Sequence, residues 1–102
     1  MCKNNEFIRA CSNGSIRIDT SDGVYYLSRR EIRTLLFFGN MVLLRQAGGI
    51  IDSEATAYPH QNGDGIVIAL SQRAYHITRS AFVLVAKGNL ATSAMTPMPW
   101  ED

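Results

Sequence analysis

The sequence has 102 residues, of which 46% are apolar and 19% charged, and its formal net charge at pH 7 is +1. This length and composition predict one domain, 1–102, that buries a single core without metal or disulfide staples. A net charge so close to zero excludes a strong overall field toward nucleic acid or an anionic membrane, and no segment approaches the roughly 18 apolar residues of a membrane-spanning helix.

The N-terminal segment predicts a short edge strand in EFIRA and contains both cysteines, Cys2 and Cys11. It has no apolar run of the kind that forms a signal peptide. Two cysteines in this setting indicate reduced thiols. We therefore expect a cytoplasmic protein with no membrane partner.

The next segment predicts a hairpin followed by a helix. SIRID and VYYLS have strand character, and TSDG between them contains the Asp-Gly pair of a tight turn. Ser28 and Glu31 have the spacing of a capping box, so a helix is expected to begin there. Gly39 is expected to end it in the left-handed conformation. The predicted buried stripe of this helix consists of Ile32, Leu35 and Leu36.

Two more strands are predicted from MVLLR and IIDSEATAY, with a Gly48-Gly49 turn between them and the polar loop PHQNGDG after them. GIVIAL and AYHIT then predict a second hairpin. Thr78 is expected to cap a second helix and Gly88 to end it, with Ala81 in place of the capping-box Glu, so that this cap is only half built. LATSA predicts a weak final strand.

The two units align without a gap as far as the helices. The identical pairs are Ile16/Ile66, Ile18/Ile68, Ser21/Ser71, Tyr25/Tyr75 and Arg29/Arg79. This match predicts an internal duplication of a β-β-α unit, with copies at about 15–41 and 65–90 and an extended tail at 94–102. The predicted fold class is α+β, a mostly antiparallel sheet with two short helices on one face, related by a pseudo-two-fold axis.

Strand alternation divides the aromatic residues of the hairpins between two faces. Tyr25 and Tyr75 are expected to point inward and pack under the helices. Tyr26 and His76 are expected on the opposite face, which makes them the better candidates for contact with a partner.

No catalytic or metal-binding motif is present. The ligand spacings of zinc sites are absent, and HQNGDG lacks both the first carboxylate and the final Glu of a calcium loop. No nucleophile elbow or phosphate-binding glycine pattern occurs. A half-exposed strand histidine explains His76 better than an acid–base role does. We therefore expect no enzyme, no metal and no cofactor.

Arginine is the residue type that indicates a binding surface, since eight of the ten basic residues are Arg. Its planar fork binds phosphate or carboxylate through two hydrogen bonds. The charge balance is +3 over 1–51 and −2 over 52–102. Arg29, Arg30 and Arg33 open the first helix, and Arg79 opens the second. Because Arg is unfavourable at a helix start, a negative group is expected nearby. That group is either a ligand or one of the internal carboxylates Asp19, Asp22 and Glu31.

These observations predict a non-enzymatic binding protein, with nucleic acid as the first hypothesis. The predicted site consists of Arg29, Arg30, Arg33, Arg73, Arg79, Tyr26 and His76. One alternative is a protein-interaction module, an inhibitor or a homodimer subunit, anchored by Trp100 of the TPMPWED tail; small dense chains of this kind occur among phage-borne and mobile-element proteins. The other is a pocket for a small anionic ligand between the two helix starts.

Overall fold

The computed structural model describes residues 6–46, 51–61 and 64–98. These ranges contain the strands β1 (Phe7–Ala10), β2 (Ile16–Thr20), β3 (Gly23–Leu27), β4 (Val42–Gln46), β5 (Ile51–Pro59), β6 (Ile66–Ala69), β7 (Ala74–Ile77), β8 (Thr92–Ala94) and β9 (Thr96–Met98). They also contain two short helices, α1 (Arg29–Arg33) and α2 (Arg79–Ala86), and a π-helical turn, Thr34–Phe38, that continues α1. The predicted Gly48-Gly49 turn and Trp100 lie outside the described residues.

The described strands form one antiparallel sheet in the order β8-β1-β2-β3-β4-β5-β6-β7-β9. β8 and β9 stand at the two ends of this order, although only Met95 separates them along the chain. The sheet is therefore nearly closed and barrel-like. The prediction that EFIRA forms an edge strand was wrong, because the segment after α2 returns to pair with β1 on the side away from β2.

Alternation along the strands places one set of side chains inside the curved sheet. Tyr25 and Tyr75 belong to this set, as predicted, and are 5% and 1% exposed. The two helices add Ile32, Leu35, Phe82 and Val85 to the same core. The other large side chains that are fully buried in it include Ile8, Ile16, Ile18, Leu27, Leu44, Ile66, Ile68 and Met95. One apolar cluster therefore joins the sheet and both helices.

Both predicted helix starts are confirmed. The Ser28 hydroxyl accepts a hydrogen bond from the Glu31 N–H at 3.2 Å, and the Glu31 carboxylate accepts one from the Ser28 N–H at 2.8 Å. The Thr78 hydroxyl accepts from the Ala81 N–H at 3.2 Å, with no returning side chain. The second cap is thus half built, as predicted from Ala81, which stands where the first helix has Glu31.

The helix ends are also as predicted, with one difference. Gly39 ends the first helical segment at φ +67°. Gly88, at φ +79°, follows α2; its N–H donates to Val85 O and that of Asn89 donates to Leu84 O, which is the Schellman pattern. The wide π-helical turn before Gly39 is a feature that the sequence did not predict.

The two halves of the described chain follow the same pairing order. In the first half β1, β2 and β3 pair in sequence, α1 follows, and β4 continues the sheet. In the second half β5, β6 and β7 do the same and α2 follows, after which β9 continues the sheet beside β7, whereas β8 pairs with β1. Ile18 lies opposite Tyr25 as Ile68 lies opposite Tyr75. The matched residues therefore occupy corresponding positions in the sheet.

The His76 ring and the Ile77 carbonyl oxygen pack closely against Gly65, which provides a test of packing at the start of β6. Gly65 has φ +100°, and a Cβ at this position would meet the His76 ring and come within 2.7 Å of the Ile77 carbonyl oxygen. Gly65→Ala should lower the free energy of unfolding by about 3 kcal/mol, through left-handed strain and displacement of these groups. Equilibrium urea unfolding measures the loss.

Gly88→Ala is the matched control, since Gly88 also has positive φ but open space around it. Backbone strain alone should cost about 1 kcal/mol there. Equal losses in the two variants would show that the packing around Gly65 is not as described.

Candidate functional site

Three arginines of α1 line one surface cleft. Arg29, Arg30 and Arg33 surround it together with Thr34 and Phe38, and its volume is about 370 Å³. All three arginines are exposed. They share a cleft because α1 begins at the Ser28 cap and buries only Ile32, so that its arginines lie on the exposed part of the helix.

The internal carboxylates that could neutralise these arginines bind other groups. Glu31 accepts from the Ser28 N–H and from Arg45 Nε at 3.2 Å. The remaining pairs are Asp19 with Arg17 and Arg9, and Asp22 with Arg73. Among the residues that the structure describes, none forms an ion pair with Arg29, Arg30 or Arg33. No ion pair among the described residues therefore neutralises the three guanidinium charges of this cleft.

Two exposed phenylalanines adjoin the arginines. Phe37 and Phe38 are each 73% exposed, and Met41 is 59% exposed. The π-helical turn places both rings outside the core, while Leu35 is fully buried. The predicted site omitted these residues. A signal was present, since four apolar residues in succession, LLFF, exceed what one helix face can bury.

Arg79 does not line this cleft. Its guanidinium donates to the carbonyl of Leu36 at 3.1 Å, at the opposite end of the first helical segment from Arg29. The two helices contact each other through this bond. The two helix starts therefore do not supply a common set of arginines to this cleft.

Arg73 lies elsewhere, between the turns of the two hairpins. Its guanidinium contacts Asp22 at 3.8 Å and donates to the Ser21 hydroxyl at 3.3 Å. The neighbouring Tyr75 hydroxyl raises the pKa of Arg73. Arg73 thus connects the first half of the sheet to the second and is separate from the arginines of α1.

Tyr26 and His76 occupy outer positions of β3 and β7, as alternation predicts, but neither lines the cleft. Tyr26 lies in register between Arg17 and Arg45. The His76 ring is edge-on to His60, with ring centroids 5.4 Å apart, and its Nε2 is 3.1 Å from the Asp64 carbonyl oxygen. These two residues of the predicted site therefore belong to different surroundings.

The described ranges contain no group of three His, Cys, Asp or Glu side chains placed to hold a metal ion. None of their helices has the length and apolar character required to cross a membrane. Comparison of the chain with protein-family models, with curated proteins and with solved structures found no match.

The Tyr75 hydroxyl, close to Arg73, gives a pH-dependent stability test. Burial raises the pKa of Tyr75 above its ordinary value of 10.0, and the nearby Arg73 opposes this only in part. The folded protein keeps this proton at a pH where the unfolded chain has lost it. The free energy of unfolding should therefore fall as the pH rises above about 10.

Urea unfolding of Tyr75→Phe at a series of pH values measures this contribution. The wild-type protein should lose stability more steeply than the variant as the pH rises above about 10. Tyr58→Phe, on the outer face of β5, is the control and should follow the wild type. Parallel wild-type and Tyr75→Phe curves would contradict the assignment.

Proposed function

We propose that the protein binds single-stranded nucleic acid at the surface formed by Arg29, Arg30, Arg33, Phe37 and Phe38. We call this surface the helical cleft. The observation that supports it is a cleft lined by three arginines, without internal carboxylate partners in the described ranges, next to two exposed phenyl rings.

The chemistry of these side chains suits a strand with unpaired bases. A guanidinium binds a phosphate through two parallel hydrogen bonds. A phenyl ring stacks on any base, but only where that base is not paired within a duplex. Double-stranded DNA is the poorer ligand, since α1 has only five residues to place in a groove.

A second candidate function is contact with a protein, either another copy of this chain or a different partner. The exposed apolar residues Phe37, Phe38 and Met41 favour it, because large apolar side chains grouped on a surface mark interaction sites. Leu84, Leu90 and Leu43 are also exposed, at 36–42%. This candidate uses the same surface without requiring the arginines.

The proposal includes three broader expectations. The protein is expected to act without catalysis, since among the described residues the cleft is lined by three arginines, Thr34 and Phe38 and by no His, Cys or carboxylate. It works in the cytoplasm with reduced thiols. Its fold is of the α+β class and arose by duplication of the β-β-α unit, which the matched sequence and the matched pairing of Ile18 and Ile68 support.

Binding of fluorescent DNA and RNA oligonucleotides, single- and double-stranded, at low and moderate salt tests the proposal. Single strands should bind more tightly than duplexes. Arg30→Ala and Arg33→Ala should each weaken binding several-fold and reduce the slope of log K against log salt by about 0.7, the change for one lost phosphate contact on a single strand. Phe38→Ala should weaken binding about fivefold or more.

Arg73→Ala removes a positive charge at a place separate from the arginines of α1 and serves as the control. It should change the salt slope little. If wild-type protein binds no oligonucleotide at low salt, the nucleic-acid proposal is wrong.

Light scattering on the same samples tests the second candidate. If the exposed rings form a contact between copies, the protein should be a dimer in solution and the double variant Phe37→Ser, Phe38→Ser should be a monomer. Retention of the dimer mass in that variant would exclude this surface as the contact.

A further inference from the structure

A row of basic and aromatic side chains crosses the outer face of the sheet beside α1. The strand registers place Arg9 opposite Arg17, Arg17 opposite Tyr26, and Tyr26 opposite Arg45. All four point outward, because the residues that alternate with them belong to the core. We call these four residues the outer row. With adjacent strands about 4.8 Å apart, it extends across about 14 Å.

Ion pairs hold the arginines of the outer row in place and occupy only some of their hydrogen-bond donors. Arg17 Nε lies 2.7 Å and Arg9 Nε 3.6 Å from the Asp19 carboxylate, and Arg45 Nε lies 3.2 Å from Glu31. The side chains of these arginines remain 41–46% exposed. Because these contacts are made through Nε, the terminal amino groups of each guanidinium remain available to a phosphate.

The outer row is continuous with the helical cleft. Glu31, which contacts Arg45, lies on α1 between Arg30 and Arg33. The outer row and the helical cleft together contain six arginines. With their ion-pair partners Asp19 and Glu31 these carry a net charge of four positive, on a protein whose total is +1. The outer row and the helical cleft therefore form a region of net positive charge.

We infer that a single strand bound in the helical cleft continues across the outer row, with one base stacked on Tyr26 and its flanking phosphates held by Arg17 and Arg45. This inference rests on the proposed function. At the 3.4 Å rise of a stacked strand, the outer row spans about four nucleotides. In this arrangement the Tyr26 ring stacks on the base, and the guanidiniums on either side bind the neighbouring phosphates.

The corresponding row in the second half has a different composition. Its registers place Tyr58 opposite Val67, Val67 opposite His76, and His76 opposite Thr96. It contains no arginine, so the same path on that half would lack the phosphate contacts. Tyr58 is, like Tyr26, a half-buried tyrosine at an outer strand position. It therefore provides a matched control.

The test measures the affinity of oligonucleotides of about 6 and about 12 nucleotides for wild type, Tyr26→Leu and Tyr58→Leu. Leucine keeps the apolar bulk on the sheet and removes the aromatic ring. Wild type should bind the longer oligonucleotide more tightly than the shorter one. Tyr26→Leu should bind the longer one at least fivefold more weakly than wild type does, and Tyr58→Leu should bind it as wild type does. Arg17→Ala should reduce the salt slope by about 0.7 for the longer oligonucleotide.

The possible outcomes separate the inference from the function on which it rests. Loss of binding in Arg30→Ala and Arg33→Ala together with equal affinities for Tyr26→Leu and Tyr58→Leu would overturn the outer row and leave the helical cleft. Absence of binding by the wild type would overturn both. Equal thermal midpoints of the two tyrosine variants show that a difference in affinity does not come from unfolding.

Discussion

Closure of the sheet by a single extended segment is the constraint on which the rest of the structure depends. β8 pairs with β1 and β9 pairs with β7, so a stretch of seven residues, 92–98, completes both ends of the sheet. Met95, between the two strands, is buried and its N–H donates to Glu6 O at 3.0 Å. Without this segment the edges of β1 and β7 would be unpaired, and the core next to Met95 would be exposed to solvent.

Closure also determines which side chains remain for binding. The inward positions of the strands are occupied by the core, so the outer strand positions and the exposed faces of the helical segments are available for contact with a partner. α1 has five residues, of which Ile32 alone is buried. The arginines around it must therefore face solvent, while the π-helical turn leaves Phe37 and Phe38 exposed beside them. The same curvature brings Arg45 next to Glu31 and joins the outer face to the helix.

The features that could be predicted from the sequence are those with local causes. The Ser28 and Thr78 caps, the glycine helix ends and the inward direction of Tyr25 and Tyr75 depend on neighbouring residues, and the structure shows all of them. Closure depends on Phe7 meeting Ala94, a pairing for which no local signal exists. The π-helical turn was missed because its residues fit an ordinary α-helix equally well.

The residues of the candidate site also divide into those whose positions could be predicted from the sequence and those whose positions could not. Arg29, Arg30 and Arg33 could be grouped from helical spacing alone, since all three lie within one and a half turns. Tyr26 and Arg79 could be assigned to an outer strand face and a helix start. The exclusion of Arg79 from the helical cleft could not be predicted, because it depends on the contact of Arg79 with the Leu36 carbonyl, 43 residues away in sequence.

The pairing of β1 with β8 has a consequence for the order of folding. During synthesis β1 can pair with β2 as soon as the first hairpin is complete, but its other edge has no partner until Thr92–Ala94 has left the ribosome. Contacts between residues so far apart in sequence form slowly. The nascent chain therefore holds a half-paired strand until residues 92–94 emerge, and the last strands of the sheet decide when the fold becomes cooperative.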